Sequence, residues 1–166
     1  MGVSQALGSE GDSAWVGSVV NDFSMVVATA NGTGSQTANM TLLRSFFKMG
    51  IPVHGKNIFP SNIQGLPTWY HIRVSRHGHV SRKPPEVLVA FNPATMFEDV
   101  ASLPSGGVCV HNADLRLTPD RADLTYYPVP VKDLLKEVEV KGKIKEYIAN
   151  MTYVGVVAYL LGVELT

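Results

Sequence analysis

The sequence predicts an α/β protein, a three-layer α/β/α sandwich built around a mostly parallel sheet. Three short runs are almost entirely apolar, at residues 25–28, 86–91 and 108–110, which is typical of strands buried on both faces. Segments of helical period lie between such runs, and the connections are short. Strands that alternate with helices in this way favour a parallel sheet with helices on both of its faces.

The chain begins with a segment rich in glycine and serine. Residues 1–21 have no hydrophobic period, so we expect a flexible leader followed by one domain over residues 22–166. The first buried strand, at residues 25–28, leads into residues 31–35 (NGTGS), whose residue types favour a tight turn.

A helix is predicted after this turn. Met40, Leu43 and Phe47 fall at helical spacing and give it an apolar side. Gly50 is expected to end the helix at its C′ position, because glycine tolerates the left-handed backbone that such an end requires. Pro52 prevents the helix from continuing.

Residues 54–68 (HGKNIFPSNIQGLPT) show neither the hydrophobic period of a helix nor that of a strand, and they are predicted to form a long loop. Loops of this length in a compact domain are usually functional, and the apolar residues within it indicate that it packs against something. Residues 69–74 alternate strictly, which predicts a strand with Trp69, His71 and Arg73 on one face.

The second half of the chain continues the alternation. A helix is predicted from Pro93 to about residue 102, with proline at its first position. Residues 124–131 contain two prolines, which suits an edge strand. Two further helices are predicted, a short one over residues 132–138 and a long one over residues 144–161.

Composition and charge exclude several classes of function. The 166 residues are 45% hydrophobic and 17% charged, enough to bury a core. Fourteen basic residues balance fourteen acidic ones, which argues against nucleic-acid binding. The single cysteine, Cys109, cannot form an internal disulfide, hold an iron–sulfur cluster or build a cysteine-based metal site. With no signal peptide or membrane span in the sequence, a cytoplasmic protein is expected.

The Gly32-x-Gly34 turn is the strongest local motif. It lies between a predicted strand and a helix, where backbone N–H groups can receive a phosphate. The dinucleotide fingerprint needs a third glycine where this chain has Thr37, and an acid that residues 52–56 do not supply. NAD binding is therefore not expected, whereas a phosphate contact and a plain turn both remain open.

Other motifs lack the partners that their chemistry needs. Residues 50–57 approach a Walker P-loop, but Asn57 stands where the magnesium-binding Ser or Thr should be. His71, His77 and His79 lie in a basic stretch that would repel a metal ion. No nucleophile–histidine arrangement is evident, so no catalytic residue and no metal ligand is predicted.

The order of these features resembles a known family. Residues 22–75 resemble the gamma domain of the 2-oxoacid:ferredoxin oxidoreductases, which act on pyruvate, ketoisovalerate or 2-oxoglutarate. The resemblance is strongest to the gamma portion that begins the fused alpha subunit of the 2-oxoglutarate-type enzymes. VLVAFNP (87–93), SGGVCVHN (105–112) and NMTYVGVVAYLLGVEL (150–165) fit as well, and KNIFPSNIQGLPTWY (56–70) is the most specific stretch.

The resemblance implies a part in a large decarboxylating enzyme. Such enzymes cleave a 2-oxoacid oxidatively with coenzyme A, release carbon dioxide and an acyl-CoA, and pass electrons to ferredoxin. Thiamine diphosphate, magnesium and the iron–sulfur clusters would be held by alpha and beta partner domains or subunits. The thiamine-contacting YPITP-type motif is absent here, so the chain is expected to be an excised domain or a separate gamma polypeptide, inactive in isolation.

The same resemblance implies which residues bind ligands. The family's first strand–helix loop, a candidate contact for coenzyme A phosphates, corresponds to Gly32, Thr33, Gly34 and Ser35. Its long loop, placed at the domain interface near the active site, corresponds to Lys56, Asn57, Ser61, Asn62 and Gln64. Lys56 would add a positive charge for the cofactor, and Arg73 could pair with a ligand anion or an acidic partner residue.

Two other interpretations remain open. The chain could be a stand-alone α/β module that binds a phosphorylated small molecule through Gly32 and Gly34, or an interface domain without a ligand. For the polar residues of the long loop, interface hydrogen bonding and ligand contact are equally compatible with the sequence.

Overall fold

A computed structural model describes residues 20–60, 63–76, 83–117, 120–136 and 138–163. The predicted leader lies almost wholly outside these ranges. The strands are β1 (Phe23–Ala30), β2 (Val53–Ile58), β3 (Pro67–Val74), β4 (Val87–Ala90), β5 (Val108–Asn112) and β6 (Thr125–Val129). The helices are α1 (Ser35–Lys48), α2 (Met96–Ala101), α3 (Val131–Leu134) and α4 (Lys143–Leu161), with a 3₁₀ turn at Ala113–Leu115.

The six described strands form one sheet in the order β2-β3-β1-β4-β5-β6. The four strands from β1 to β6 in that order are parallel, and β3 runs antiparallel to both of its neighbours. The predicted mostly parallel α/β sheet is therefore confirmed. The carboxyl ends of the parallel strands all lie at the same end of the sheet, and open α/β sheets usually bind ligands there.

Helices cover the two faces of the sheet unequally. On one face α1 and α4 pack over β1, β3, β4 and β5, and the ring of Phe46 meets that of Phe23 edge-on at 6.0 Å. On the other face the short α2 covers the middle of the sheet. Its Asp99 accepts a 2.8 Å hydrogen bond from the Trp69 indole of β3. No described helix covers this second face over β2 and the adjoining part of β3.

Two predictions made from glycine and proline are confirmed. Gly50 has φ +74°, and the N–H groups of Gly50 and Ile51 donate to Phe47 and Phe46, so α1 ends in a Schellman motif. β6 is an edge strand, which accommodates Pro128 without loss of a sheet hydrogen bond on its outer side.

Three predicted element boundaries are wrong. Residues 54–58 belong to strand β2 rather than to a loop, because pairing with β3 overrides their lack of a clear period. Helix α2 begins at Met96 instead of Pro93, since the Asn92 side chain accepts from the Ala94 N–H and holds a turn there. The predicted helix 132–138 is the single turn Val131–Leu134.

None of the helices within the described ranges combines the length and the apolar character needed to cross a membrane.

Candidate functional site

The turn between β1 and α1 is built on two glycines with left-handed backbone. Gly32 has φ +84° and Gly34, the N-cap residue of α1, has φ +83°. The N-cap residue Gly34 provides no side-chain cap, and the first turn of the helix contains no acidic residue. The N-terminus of α1 therefore offers its positive end and its free N–H groups to an anion without competition from a carboxylate.

Thr33 points away from this opening and anchors the turn. Its hydroxyl donates to the Ala30 carbonyl at 2.8 Å. The side-chain amide of Asn150, on α4, donates to the Thr33 carbonyl at 2.8 Å and lies 3.2 Å from its hydroxyl. Both bonds hold the turn in shape, so Thr33 anchors the turn through its hydroxyl and its carbonyl.

A cavity of about 240 Å³ opens beside the turn, and we call it the amide pocket. The lining residues that the structure describes are all uncharged, and most carry an amide or a hydroxyl group. They are Asn31, Gly32, Gly34, Ser35, Gln36, Asn39, Asn57, Thr68 and Tyr147. Such a lining provides hydrogen-bond donors and acceptors, while the helix end supplies the positive potential.

Close contacts explain why both turn positions are glycine. A Cβ on Gly34 would lie 2.0 Å from Cδ1 of the Tyr147 ring, and a Cβ on Gly32 would lie 2.8 Å from Cγ of Gln64. Tyr147 comes from α4 and Gln64 from the loop after β2. The glycines thus let two distant segments close over the turn and form the walls of the pocket.

A buried hydrogen bond positions one wall of the amide pocket. The Tyr153 hydroxyl donates to the Asn39 side-chain oxygen at 2.9 Å, and both residues are buried. The Tyr153 ring also packs edge-on against Phe91 at 5.0 Å. Burial raises the pKa of Tyr153 well above its usual value, so the phenol stays protonated and orients Asn39.

The loop over residues 59–66 is tied to the glycine turn. Asn31 donates through its N–H to Leu66, accepts from the Gly65 N–H, and bonds the Ile63 carbonyl through its side chain at 3.2 Å. Phe59, Ile63 and Leu66 are nevertheless exposed, so the described residues give their apolar side chains little cover. The predicted site residues Ser61 and Asn62 lie outside the described residues.

A second cavity, of about 570 Å³, lies on the opposite face of the sheet, over β2 and β3. We call it the basic groove because cations and imidazoles line it, together with Pro84 and Pro85. The basic lining residues are His54, Lys56, His71, Arg73 and Lys83. Lys56 and Asn57 are adjacent in β2, and strand alternation sends Asn57 into the amide pocket and Lys56 into the basic groove.

Among the described residues, two cations of the basic groove share one acidic neighbour. Asp22 forms a salt bridge with Arg73 and lies 3.9 Å from Lys83. Arg73 also donates to the Phe23 carbonyl at 3.0 Å, so its guanidinium has a structural role within the chain. Lys56 is exposed and, among the described residues, is in no salt bridge.

The structure therefore divides the predicted site residues into two groups. The first group, at the amide pocket, contains Gly32, Gly34, Ser35, Asn57 and, packed against Gly32, Gln64. The second, in the basic groove, contains Lys56 and Arg73.

Sequence reasoning missed several residues of the amide pocket. Asn39 gave a signal, because it interrupts an otherwise apolar helix face with Leu42 and Phe46, and such buried polar residues usually have a specific partner. Tyr147, which lines the pocket, and Asn150, which anchors Thr33, gave none, since both act through the packing of α4 on α1.

The described residues contain no group of three His, Cys, Asp or Glu side chains that could hold a metal ion. Cys109 is fully buried in β5. Burial, reinforced by the negative charge of Asp99, raises the pKa of this thiol to about 12. A protonated, enclosed thiol of this kind fits neither a cluster ligand nor a nucleophile.

Comparisons with known proteins agree with the fold. Residues 24–166 match the family model of the pyruvate ferredoxin/flavodoxin oxidoreductases. Over 98 residues the chain is 28% identical to subunit alpha of 2-oxoacid:ferredoxin oxidoreductase 2 from Aeropyrum pernix. That match covers 58% of this chain and 15% of the relative.

Solved structures with the same fold come from similar enzymes. The gamma subunit of a keto/oxoacid ferredoxin oxidoreductase from Geobacter sulfurreducens has a TM-score of 0.67 at 16% identity, with 86% of this chain and 79% of that one covered. The 2-oxoglutarate:ferredoxin oxidoreductase from Magnetococcus marinus was solved with 2-oxoglutarate, coenzyme A and succinyl-CoA. It has a TM-score of 0.69 at 20% identity, with 84% of this chain and 24% of that one covered. Subunit PORC of the pyruvate oxidoreductase from Thermotoga maritima has a TM-score of 0.61 at 19% identity, with 86% of this chain and 78% of that one covered.

The family model covers most of the chain, and these neighbours reproduce the sheet and its helices. The chain therefore belongs to the pyruvate ferredoxin/flavodoxin oxidoreductase family.

Proposed function

We propose that this chain is the gamma portion of a thiamine-diphosphate-dependent 2-oxoacid:ferredoxin oxidoreductase, of the 2-oxoglutarate type, and that its amide pocket holds part of coenzyme A. The complete enzyme would convert a 2-oxoacid and coenzyme A into acyl-CoA and carbon dioxide, with ferredoxin as the electron acceptor. This chain would contribute the coenzyme A site and an interface, and partner domains would hold the thiamine and the clusters.

One observation carries the assignment of coenzyme A. The amide pocket lies at the carboxyl end of β1, against a helix N-terminus whose N-cap is a glycine without a side-chain cap and whose preceding turn exposes the backbone. Anionic groups bind at such ends because the free N–H groups and the helix dipole act together. The Magnetococcus marinus neighbour, solved with coenzyme A and 2-oxoglutarate, supports the choice of this ligand and of the 2-oxoglutarate type.

The chain's own residues fit a binding role better than a redox role. One buried thiol cannot ligate an iron–sulfur cluster, which needs several cysteines. Phe59, Ile63 and Leu66 are exposed apolar side chains in the segment that bonds Asn31 beside the pocket, which supports contact with the alpha and beta partners. Turnover would therefore require those partners.

Calorimetric titration of the full chain tests the proposal. We expect coenzyme A to bind, and NADH to bind more weakly or not at all. Preferential NADH binding, or no binding of coenzyme A, would contradict it. Equal binding of coenzyme A and simple phosphorylated sugars would favour the stand-alone phosphate-binding module instead. Oxidation of 2-oxoglutarate by the isolated chain would also contradict the assignment.

Substitutions on the two faces of the sheet locate the ligand. Gln36→Glu adds a carboxylate to the amide pocket in the first turn of α1, where it should stabilise the helix yet weaken coenzyme A binding about tenfold by repulsion. Lys56→Ala is the matched change on the opposite face and should leave binding in the pocket unchanged. A loss confined to Lys56→Ala would place the cofactor in the basic groove and contradict the pocket assignment.

A further inference from the structure

Among the described residues, no strand pairs with the outer edge of β2. β2 is the last strand of the described sheet on its side. The carbonyls of Pro52 and Ile58 both accept hydrogen bonds from the β3 segment, from the Ser75 N–H and the Thr68 hydroxyl. Because the backbone groups of successive residues alternate in direction, Val53, Gly55 and Asn57 point their N–H and C=O groups away from β3.

The two edges of the sheet differ in how they are protected. At the opposite edge, β6 contains Pro128, which removes a donor and discourages an added strand. β2 has six residues and no proline, so nothing in its backbone blocks pairing. Edge strands left in this state are the usual sites of strand addition by another chain.

Charge decides which kind of strand fits. His54, Lys56 and Ile58 are exposed on the basic-groove face of β2. Asp22, an acidic residue next to this groove, is already shared by Arg73 and Lys83, and the Glu86 carboxylate accepts from the Ser24 N–H. A second copy of β2 would set lysine and histidine beside like residues, which is unfavourable across strands, whereas acidic side chains would gain from the same positions.

We propose that β2 accepts an extended acidic segment of another polypeptide as a seventh strand of the sheet. Main-chain hydrogen bonds to Val53, Gly55 and Asn57 hold the segment, and its acidic side chains lie beside His54 and Lys56 at the rim of the basic groove. The acidic side chains lie on the face opposite the amide pocket, whereas Asn57, the last of the three backbone partners, also lines that pocket.

Fluorescence anisotropy with the full chain tests the charge requirement. The probe is a labelled peptide of about ten alternating Thr and Glu residues, and the control peptide has Gln in place of Glu. We expect the acidic peptide to bind at least about tenfold more tightly, and Lys56→Glu to abolish that preference. Lys132→Glu, an exposed lysine next to the far edge of the sheet, should have no effect. Equal affinity for the two peptides would overturn the proposal.

Amide hydrogen exchange tests the strand geometry. Saturation with the acidic peptide should slow exchange about tenfold or more at Val53, Gly55 and Asn57, with smaller changes at His54 and Lys56, whose N–H groups already face β3. Peptide binding without this alternation would indicate a merely electrostatic contact and overturn strand addition. Lys56-dependent binding of pyrophosphate, with no binding of the acidic peptide, would identify a small-anion site and overturn it too.

Discussion

The side-chain amide of Asn150 on α4 donates a 2.8 Å hydrogen bond to the backbone carbonyl of Thr33 in the glycine turn. Asn150 is buried, and its contact joins residues 117 positions apart in the chain. The bond fixes the position of the turn against the helix that carries Tyr147, so the last helix of the chain helps to shape a pocket that opens beside the first strand.

Asn150→Ala should therefore affect both stability and binding. Leaving the Thr33 carbonyl without its buried donor should lower the free energy of unfolding by about 1–3 kcal/mol. Coenzyme A binding should weaken at a temperature where the fold is intact, because the turn is no longer anchored. Urea denaturation and calorimetric titration measure the two effects. Thr152→Ala, which removes only a hydroxyl bond within the same helix, should change stability by less and binding not at all.

Gly34→Ala should damage the turn through two separable effects. A left-handed backbone at alanine costs about 1–2 kcal/mol, and the new Cβ also meets the Tyr147 ring. Gly50→Ala is the matched control, since Gly50 also has a positive φ but has open space around its Cβ position. The destabilisation at Gly34 should exceed that at Gly50, as measured by urea denaturation.

The double variant Gly34→Ala with Tyr147→Ala isolates the steric part. Gly34→Ala should lose more unfolding free energy than Gly50→Ala, and removing the Tyr147 ring should abolish this extra loss. The cost of the left-handed backbone should remain. If the losses of unfolding free energy caused by the two substitutions are simply additive, the Tyr147 ring does not press on this position. That result would count against the described closure of the pocket.

The sequence predicts those parts of the fold that depend on local patterns. The apolar runs in β1, β4 and β5, the helical spacing in α1 and the glycine at its end are all readable from the chain and are confirmed. β2 could not be predicted from its sequence, because its residues form a strand only through pairing with β3. A hydrogen-bond partner distant in sequence decides its conformation.

The same limit applies to the candidate site. Gly32 and Gly34 were predicted from the residue types at the turn, and Asn57 from the resemblance, and all three line the amide pocket. The opposite directions of Lys56 and Asn57 follow from strand alternation, but that alternation was hidden as long as residues 54–58 were assigned to a loop. Tyr147 and Asn150 enter the site through helix packing, for which the sequence carries no local signal.

Tyr153→Phe should destabilise the protein near neutral pH. The change leaves the buried Asn39 oxygen without its donor, at a cost of about 1–3 kcal/mol in the free energy of unfolding. Packing against Phe91 is retained, so the fold itself should persist. Urea denaturation measures the loss. No loss would indicate that Asn39 finds another donor and that Tyr153 does not position it.

The stability difference between the wild-type protein and Tyr153→Phe should change in alkaline solution. Burial raises the pKa of Tyr153 in the folded protein, so above about pH 10 the unfolded chain releases this proton and the folded chain keeps it. The stability contributed by Tyr153 is then complete below about pH 10 and falls by about 1.4 kcal/mol per pH unit above it. The difference in unfolding free energy between the wild-type protein and Tyr153→Phe should shrink accordingly, whereas a constant difference would contradict the raised pKa.

Cys109 should resist thiol reagents for as long as the protein is folded. Its side chain is fully buried between β4 and β6, and burial together with the charge of Asp99 raises its pKa to about 12, so almost no thiolate is present at pH 8. Modification should then follow global unfolding and become fast in concentrated urea. Lys48→Cys supplies an exposed thiol in the same molecule as an internal control, and it should react at once with one equivalent of reagent. Rapid uptake of two equivalents by that folded variant would show that β5 opens locally, and Cys109 would then be accessible in the native state.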